Sequence, residues 1–393
     1  MKRQRMRRAA HLQLENLESR QMLSVTHPVP HHGNVPAEVA SVDFQPDKMK
    51  KHHNPQTPPF LTQVQLMSQQ TVSTVPSNGD VNPYGVAYVP ANFARGGILN
   101  PGDILVSNFN NSQNLQGTGT TITRITPGGQ TSTFFQGPSG LGLTTALGIL
   151  QRGYVIVGNV PTSDGTSATV QQGSLLILNK EGQEVMNLKN SNLLDGPWDL
   201  TVVDHGSKAN VFISNVLNGT VTRLDLKITN TKVTVQDMVQ IGSGFQHRLD
   251  PAALVLGPAG SAYNAQTDTL YVNSMVNDAV YAIPHATRTK TSEGTGQLVY
   301  QDNVHLHGPM GLAFAPNGNL IAANGDGVNV DPNQPSELVE FTKNGQFVTE
   351  LSVDPNNGGA FGLAIGVRNG VTTLAAVDDN TAQLKFYSLA ANA

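Results

Sequence analysis

From residue 80 onward one unit recurs six times: a glycine-containing opening, a short apolar strand, a turn, a second apolar strand ending in Asn or Asp, and two further strands. The openings include Asn82-Pro83-Tyr84-Gly85-Val86-Ala87, Gly196-Pro197-Trp198-Asp199-Leu200-Thr201 and Gly308-Pro309-Met310-Gly311-Leu312-Ala313. Aligned on Gly85, Gly148, Asp199, Gly260, Gly311 and Gly362, the copies are spaced by 63, 51, 61, 51 and 51 residues. A period near 50 matches one four-stranded propeller blade, a sheet that cannot bury both faces alone and must stack on its neighbours. The second strands hold the same register, as in Ile104-Leu105-Val106-Ser107-Asn108 and Leu320-Ile321-Ala322-Ala323-Asn324. The third-strand segment Val221-Thr222-Arg223-Leu224-Asp225 alternates with period two, as a half-buried strand should.

The reading is therefore an all-β, six-bladed β-propeller with four-stranded blades. The sixth repeat has only three strands before the chain reaches Ala393, while residues 60–67 have strand character and no partner. Pairing 60–67 as the outer strand of the last blade would close the ring and cover an open sheet edge. The expected domains are a basic segment at 1–25, a Pro- and His-rich linker at 26–59, and the propeller at 60–393.

Composition narrows the function. Charged residues make up 13% and cysteine is absent, which excludes disulfides, thiolate metal sites and a cysteine nucleophile. No run reaches the roughly 18 apolar residues of a membrane-spanning helix. Residues 1–25 carry six basic and two acidic groups, so the remainder carries −4 − 4 = −8. An acidic body without a basic stripe lacks the footprint that a phosphate backbone demands, and nucleic acid is not an expected partner. The expected state is a monomer.

Leu17-Glu18-Ser19-Arg20-Gln21-Met22-Leu23-Ser24, directly after the basic run, resembles the LEPR-XLL segment of secreted and cell-surface bacterial proteins, with Ser19 in place of Pro. That resemblance implies export to the cell surface. The repeats from about residue 80 to the end, most clearly Gly308 to Leu320, resemble NHL-type and gluconolactonase-like six-bladed propellers. Such gluconolactonase-like propellers hold a divalent metal with acidic or Asn residues just before the opening glycine. Here those positions read Tyr84, Leu147, Trp198, Ala259, Met310 and Phe361, so the family's metal site does not carry over.

The expected binding face is the one that receives the long loops 109–120, 160–173 and 325–336, since long loops on a rigid scaffold carry function. The same face receives the column Asn108, Asn159, Asn215, Asn324 and Asp378, together with Asp195, His305, His307, Asp326 and Asp331. Asn and Asp at strand ends bond locally to backbone, and they also supply the oxygens that a hard cation such as calcium prefers. Trp198, the single Trp, sits at a channel-lining opening, as core or as a stacking platform for a sugar. The sequence reading is an exported module that binds a protein or glycan ligand at the cell surface, with no catalytic residue assigned and enzymatic activity left open. The alternative is a metal-dependent lactonase-like hydrolase or lyase with a site elsewhere on this face.

Overall fold

The computed structural model describes residues 58–65, 69–325 and 336–389. Residues 1–57, which hold the basic segment and nearly all of the linker, lie outside the described residues, as do Asp326 and Asp331. Six antiparallel sheets of four strands follow one another along the chain. Their inner strands are Val81–Tyr88, Leu143–Leu150, Pro197–Asp204, Pro258–Asn264, Pro309–Phe314 and Leu363–Arg368. The second strands are buried on both faces, as in Ile104–Asn110 and Tyr154–Asn159. Outer strands such as Glu184–Leu188 stay largely exposed. Between blades the branched side chains interdigitate: Ile156, Ile177 and Leu175 of blade 2 meet Leu200, Ile213 and Leu224 of blade 3.

An N-terminal strand closes the last blade, but it is not the segment expected. Gln69–Ser73 pairs antiparallel with Gln383–Ser388, from Gln69 opposite Tyr387 to Ser73 opposite Gln383. The expected strand at 60–67 is absent, and Phe60–Gln65 forms a helix instead. The reason is the spacing of its apolar residues. A strand would turn Phe60 and Leu61 to opposite faces, whereas a helical turn brings Phe60, Leu61 and Val64 to one side. All three are at most 1% exposed and pack on blades 5 and 6. Pro58 and Pro59 suit a helix start, where the missing N–H leaves no bond unmade. The buried Glu340 then accepts the Leu61 amide at 2.9 Å, satisfying one of the orphan donors of the first turn. The strand Gln69–Ser73 leaves little trace in the hydrophobic pattern, because Val72 is its one buried residue.

The pairing register also corrects the repeat alignment in blade 2. Val86 pairs with Val106, and the equivalent pair in blade 2 is Leu147 with Val157. Ala146, not Gly148, thus corresponds to Gly85, and Thr145, not Leu147, corresponds to Tyr84. The inner strand of blade 2 bulges by one residue more than that of blade 1, because Leu143 to Leu147 spans the same two steps of its partner that Pro83 to Val86 spans. A bulge adds a residue without changing the hydrophobic pattern that an alignment follows.

Candidate functional site at the channel mouth

The inner strands begin at the face that receives the long loops, and their opening side chains converge on the ring axis. Tyr84, Trp198 and Phe361 meet there, with Phe109 from the second strand of blade 1. Tyr84 lies 4.7 Å from Phe109 between ring centroids, 4.9 Å from Phe361 and 5.8 Å from Trp198. Trp198 is fully buried beneath this cluster, edge-on to Phe109 at 5.4 Å. Together these rings plug the channel.

Above the plug lies a cavity of about 200 Å³. Tyr84, Phe361, Met310 and Met275 form its floor and walls, and Ala252, Ala253, Val255 and Leu256 form its roof. The roof is the hairpin of Arg248–Asp250 and Leu254–Leu256, inserted between blades 3 and 4. Asp250 caps its turn by accepting the Ala252 amide at 2.9 Å and the Ala253 amide at 3.1 Å. Leu254 adopts φ of +65°, a left-handed conformation that costs a bulky residue on the order of 1–3 kcal/mol and is held here by burial. Gln116, from the long loop of blade 1, braces the roof by donating to the Ala252 carbonyl at 3.0 Å. The sequence carries little sign of this roof, because residues 252–256 are apolar whereas Leu249 stands alone after Gln246, His247 and Arg248 on the other side of Asp250-Pro251.

Two polar side chains face each other at the cavity edge. Asn82, held at φ of +58°, donates its amide to Asp379 Oδ2 at 3.3 Å. Its own Oδ1 is buried with no partner in the protein. Asp379 is pushed up to about 7, first by burial and then by the charge of Asp378 beside it. Asp378 is itself held by Lys385 at 2.7 Å and by the Thr381 hydroxyl at 2.7 Å. The Tyr84 hydroxyl is raised well above its ordinary value by burial and by Asp379. The arrangement is an apolar cup with one carboxyl poised near neutrality and one amide oxygen awaiting a donor.

The residues singled out from sequence fall into three groups. Asn108, Asn159, Asn215, Asn324 and Asp378 are buried at the ends of second strands. Three of them bond to connecting segments, Asn108 to the Thr74 carbonyl at 3.3 Å, Asn215 to the Leu193 carbonyl at 3.1 Å and Asn324 to the His305 carbonyl at 2.6 Å, while Asn159 bonds to the Ser174 carbonyl at 2.9 Å on the third strand of its own blade. Asn108, Asn215 and Asn324 thereby clasp their strand ends to chain arriving from the neighbouring blade. His305 and His307 turn to separate partners: His305 Nδ1 lies 2.8 Å from Asp302 and its ring stacks on Phe347, while His307 Nε2 lies 3.2 Å from the Asn303 carbonyl. Asp195 is half-buried, with its carboxyl raised by burial against the lowering effect of His247. Among the described residues no cluster of three or more His, Asp or Glu is arranged to hold a metal. The positions before the opening glycines, Tyr84, Thr145, Trp198, Ala259, Met310 and Phe361, do not offer the carboxylate and amide oxygens that a divalent cation requires.

Below the plug, Asp199 takes in blade 3 the place that Gly85, Gly260, Gly311 and Gly362 hold in blades 1, 4, 5 and 6. It accepts the Ser261 amide of blade 4 at 2.8 Å. Burial raises its carboxyl to about 7, opposed by bonds from the Ser261 and Leu200 amides and the Thr145 hydroxyl. Because the folded value lies above the unfolded one of about 3.9, the stabilisation is complete below about pH 4 and is lost as pH rises through 7. Asp199→Asn should therefore flatten the decline of the melting temperature between pH 5 and 8. Parallel declines in variant and parent would refute the assignment.

These features define a six-bladed β-propeller with a closed, aromatic-plugged channel and an apolar cup at one mouth. No protein-family model and no curated protein sequence matches the chain. Among solved structures, a gluconolactonase from Xanthomonas campestris is similar with a TM-score of 0.50 at 12% identity, over 81% of this chain and 90% of that one. The calcium-binding protein regucalcin from Agrobacterium tumefaciens gives 0.49 at 12%, over 81% and 93%. A luciferin-regenerating enzyme gives 0.47 at 11%, over 83% and 96%. At such identities the likeness is one of fold.

Proposed function

We propose that this propeller takes a compact, largely apolar molecule into the channel mouth and that Asp379 is its acid–base group. The observation that carries the reading is the buried, unpartnered Asn82 Oδ1 beside Asp379 at the edge of an apolar cup. Buried acceptors are nearly always satisfied, so a hydroxyl or amino group of the ligand, or a bound water, belongs there. A cavity of about 200 Å³ is small beside the roughly 300–1,000 Å³ of drug-sized sites, which favours a small molecule over a protein segment or an extended glycan.

The reaction this chemistry suits is hydrolysis of a compact cyclic ester. Asp379, as carboxylate, would take a proton from water; the oxygen would add to the ester carbonyl, and the ring would open to a hydroxy acid as the proton passes to the leaving alkoxide. Tyr84, Phe361 and Met310 would hold the apolar part of the ring. The fold likeness to a gluconolactonase is compatible with this class, while the apolar walls favour a less hydroxylated lactone than a sugar lactone. The measurement is hydrolysis of a panel of small lactones between pH 5 and 9. Activity should rise through about pH 7, as the carboxylate forms, and Asp379→Asn should lower it at least about 100-fold. Unchanged rates in that variant would remove Asp379 from the mechanism, and an inert panel would leave binding alone as the function of the cup.

A further inference from the structure

The face opposite the channel mouth carries an unassigned groove of about 640 Å³ beneath blades 1, 2 and 3. Four cations line it: Arg95 from blade 1, Arg152 and Lys180 from blade 2, and Lys232 from blade 3. Outside residues 1–25 the chain carries a net charge of −8, so carboxylates outnumber cations there. Arg124, Arg223, Arg248, Arg288, Lys290 and Lys385 all form ion pairs. Arg95, Arg152, Lys180 and Lys232 form none, and Glu181 on the groove's rim pairs with none of them.

Arg152 and Lys180 are moreover half-buried. Their stems are partly covered while the Lys180 ammonium and the Arg152 Nη1 stay at the surface, so an anion entering the groove meets two cations with no carboxylate to displace. Both heads are already aimed by neutral acceptors. Arg152 donates through Nε to the Gly206 carbonyl at 2.9 Å and through Nη1 to Asn230 Oδ1 at 2.9 Å. Lys180 donates to the Arg95 carbonyl at 2.6 Å. The frame beneath them is stitched between blades, since the Ala94 amide reaches the Gln151 carbonyl at 2.7 Å and the Ile98 amide reaches the Lys180 carbonyl at 3.0 Å. Cations fixed in position lose little entropy on binding, and guanidinium with ammonium groups suits the tetrahedral oxyanion geometry.

We propose that this groove binds a small multivalent oxyanion, a phosphate or sulfate group borne on a compact ligand, bridged between Arg152, Lys180 and Lys232. The test is isothermal titration of the full chain at low ionic strength with inorganic pyrophosphate and, separately, with a sulfated disaccharide. Saturable one-to-one binding of either probe, weakening as salt rises, is the expected result, and the tighter probe identifies the source of the oxyanion. Lys232 lies on an exposed turn and only its backbone is bonded to the protein, so Lys232→Glu should leave the melting temperature unchanged while weakening binding at least about tenfold. Arg152→Gln should weaken it further. Absence of saturable heat with both probes, or equal affinities in parent and Lys232→Glu, would overturn the proposal.

Discussion

Removal of residues 1–73 is expected to turn a soluble propeller into an aggregating chain, whereas removal of 1–57 should leave the thermal midpoint within a few degrees. The longer deletion takes away both devices that close the ring. The helix Phe60–Gln65 buries Phe60, Leu61 and Val64 against blades 5 and 6. At about 1.5–3 kcal/mol for each fully buried side chain, that is on the order of 5–9 kcal/mol, comparable to the whole stability of a typical domain. The strand Gln69–Ser73 covers Gln383–Ser388, and without it the last blade presents a bare edge for pairing with another chain. An intermediate deletion of 1–65 separates the two contributions: it should remain soluble and melt earlier. Light scattering and circular dichroism on the three proteins decide the matter, and equal midpoints for the 1–57 and 1–73 deletions would show that neither element closes the ring.

Gly362→Ala is expected to lower stability and ligand binding together. At this position, where blade 6 meets blade 1, an added Cβ would lie 1.8 Å from the Tyr84 carbonyl oxygen and 3.0 Å from its carbon. No side-chain rotation relieves a clash with backbone, so the two inner strands must separate and Tyr84 must move. Overpacking of this kind costs about 1–3 kcal/mol and more where the neighbour is rigid. Tyr84 is also a wall of the cup, so ligand binding should fall together with stability. Gly128→Ala is the control, because its added Cβ would meet only the Thr126 hydroxyl at 3.8 Å. That variant should be neutral or slightly stabilised through reduced freedom of the unfolded chain. Urea midpoints measure both, and similar midpoints for the two variants would show that the seam is not closely packed at Gly362.

Closure by an N-terminal strand was legible as a deficit: three strands in the last repeat and an edge to be covered. Which residues supply the strand was not. Residues 60–67 are the more apolar stretch and drew the assignment, yet their spacing suits a helix, and the polar Gln69–Ser73 does the pairing because an outer strand needs only its backbone and one buried Val72. The extra bulge residue in blade 2 displaced the alignment there for a related reason. Bulges are set by how neighbouring inner strands meet around the axis, and no local pattern records that.

The candidate site was legible as a face and not as a set of residues. The strand-end pattern points to Asp378 and not to its neighbour Asp379, although alternation along an extended segment sends adjacent side chains to opposite sides. Asp378 turns inward to Lys385 and Thr381, which leaves Asp379 to the cavity.

By itself the sequence determined the all-β class, the six-fold repeat, the four strands of each blade and the side on which the long loops emerge. Each of these is written in local periodicity and turn chemistry, which act over a few residues and recur. Only the tertiary structure decided the register of blade 2, the hairpin roof, the aromatic plug and the meeting of Asn82 with Asp379, which lie 297 positions apart. A closed ring brings the first and last blades side by side, and the chemistry at that seam depends on a circle completing itself.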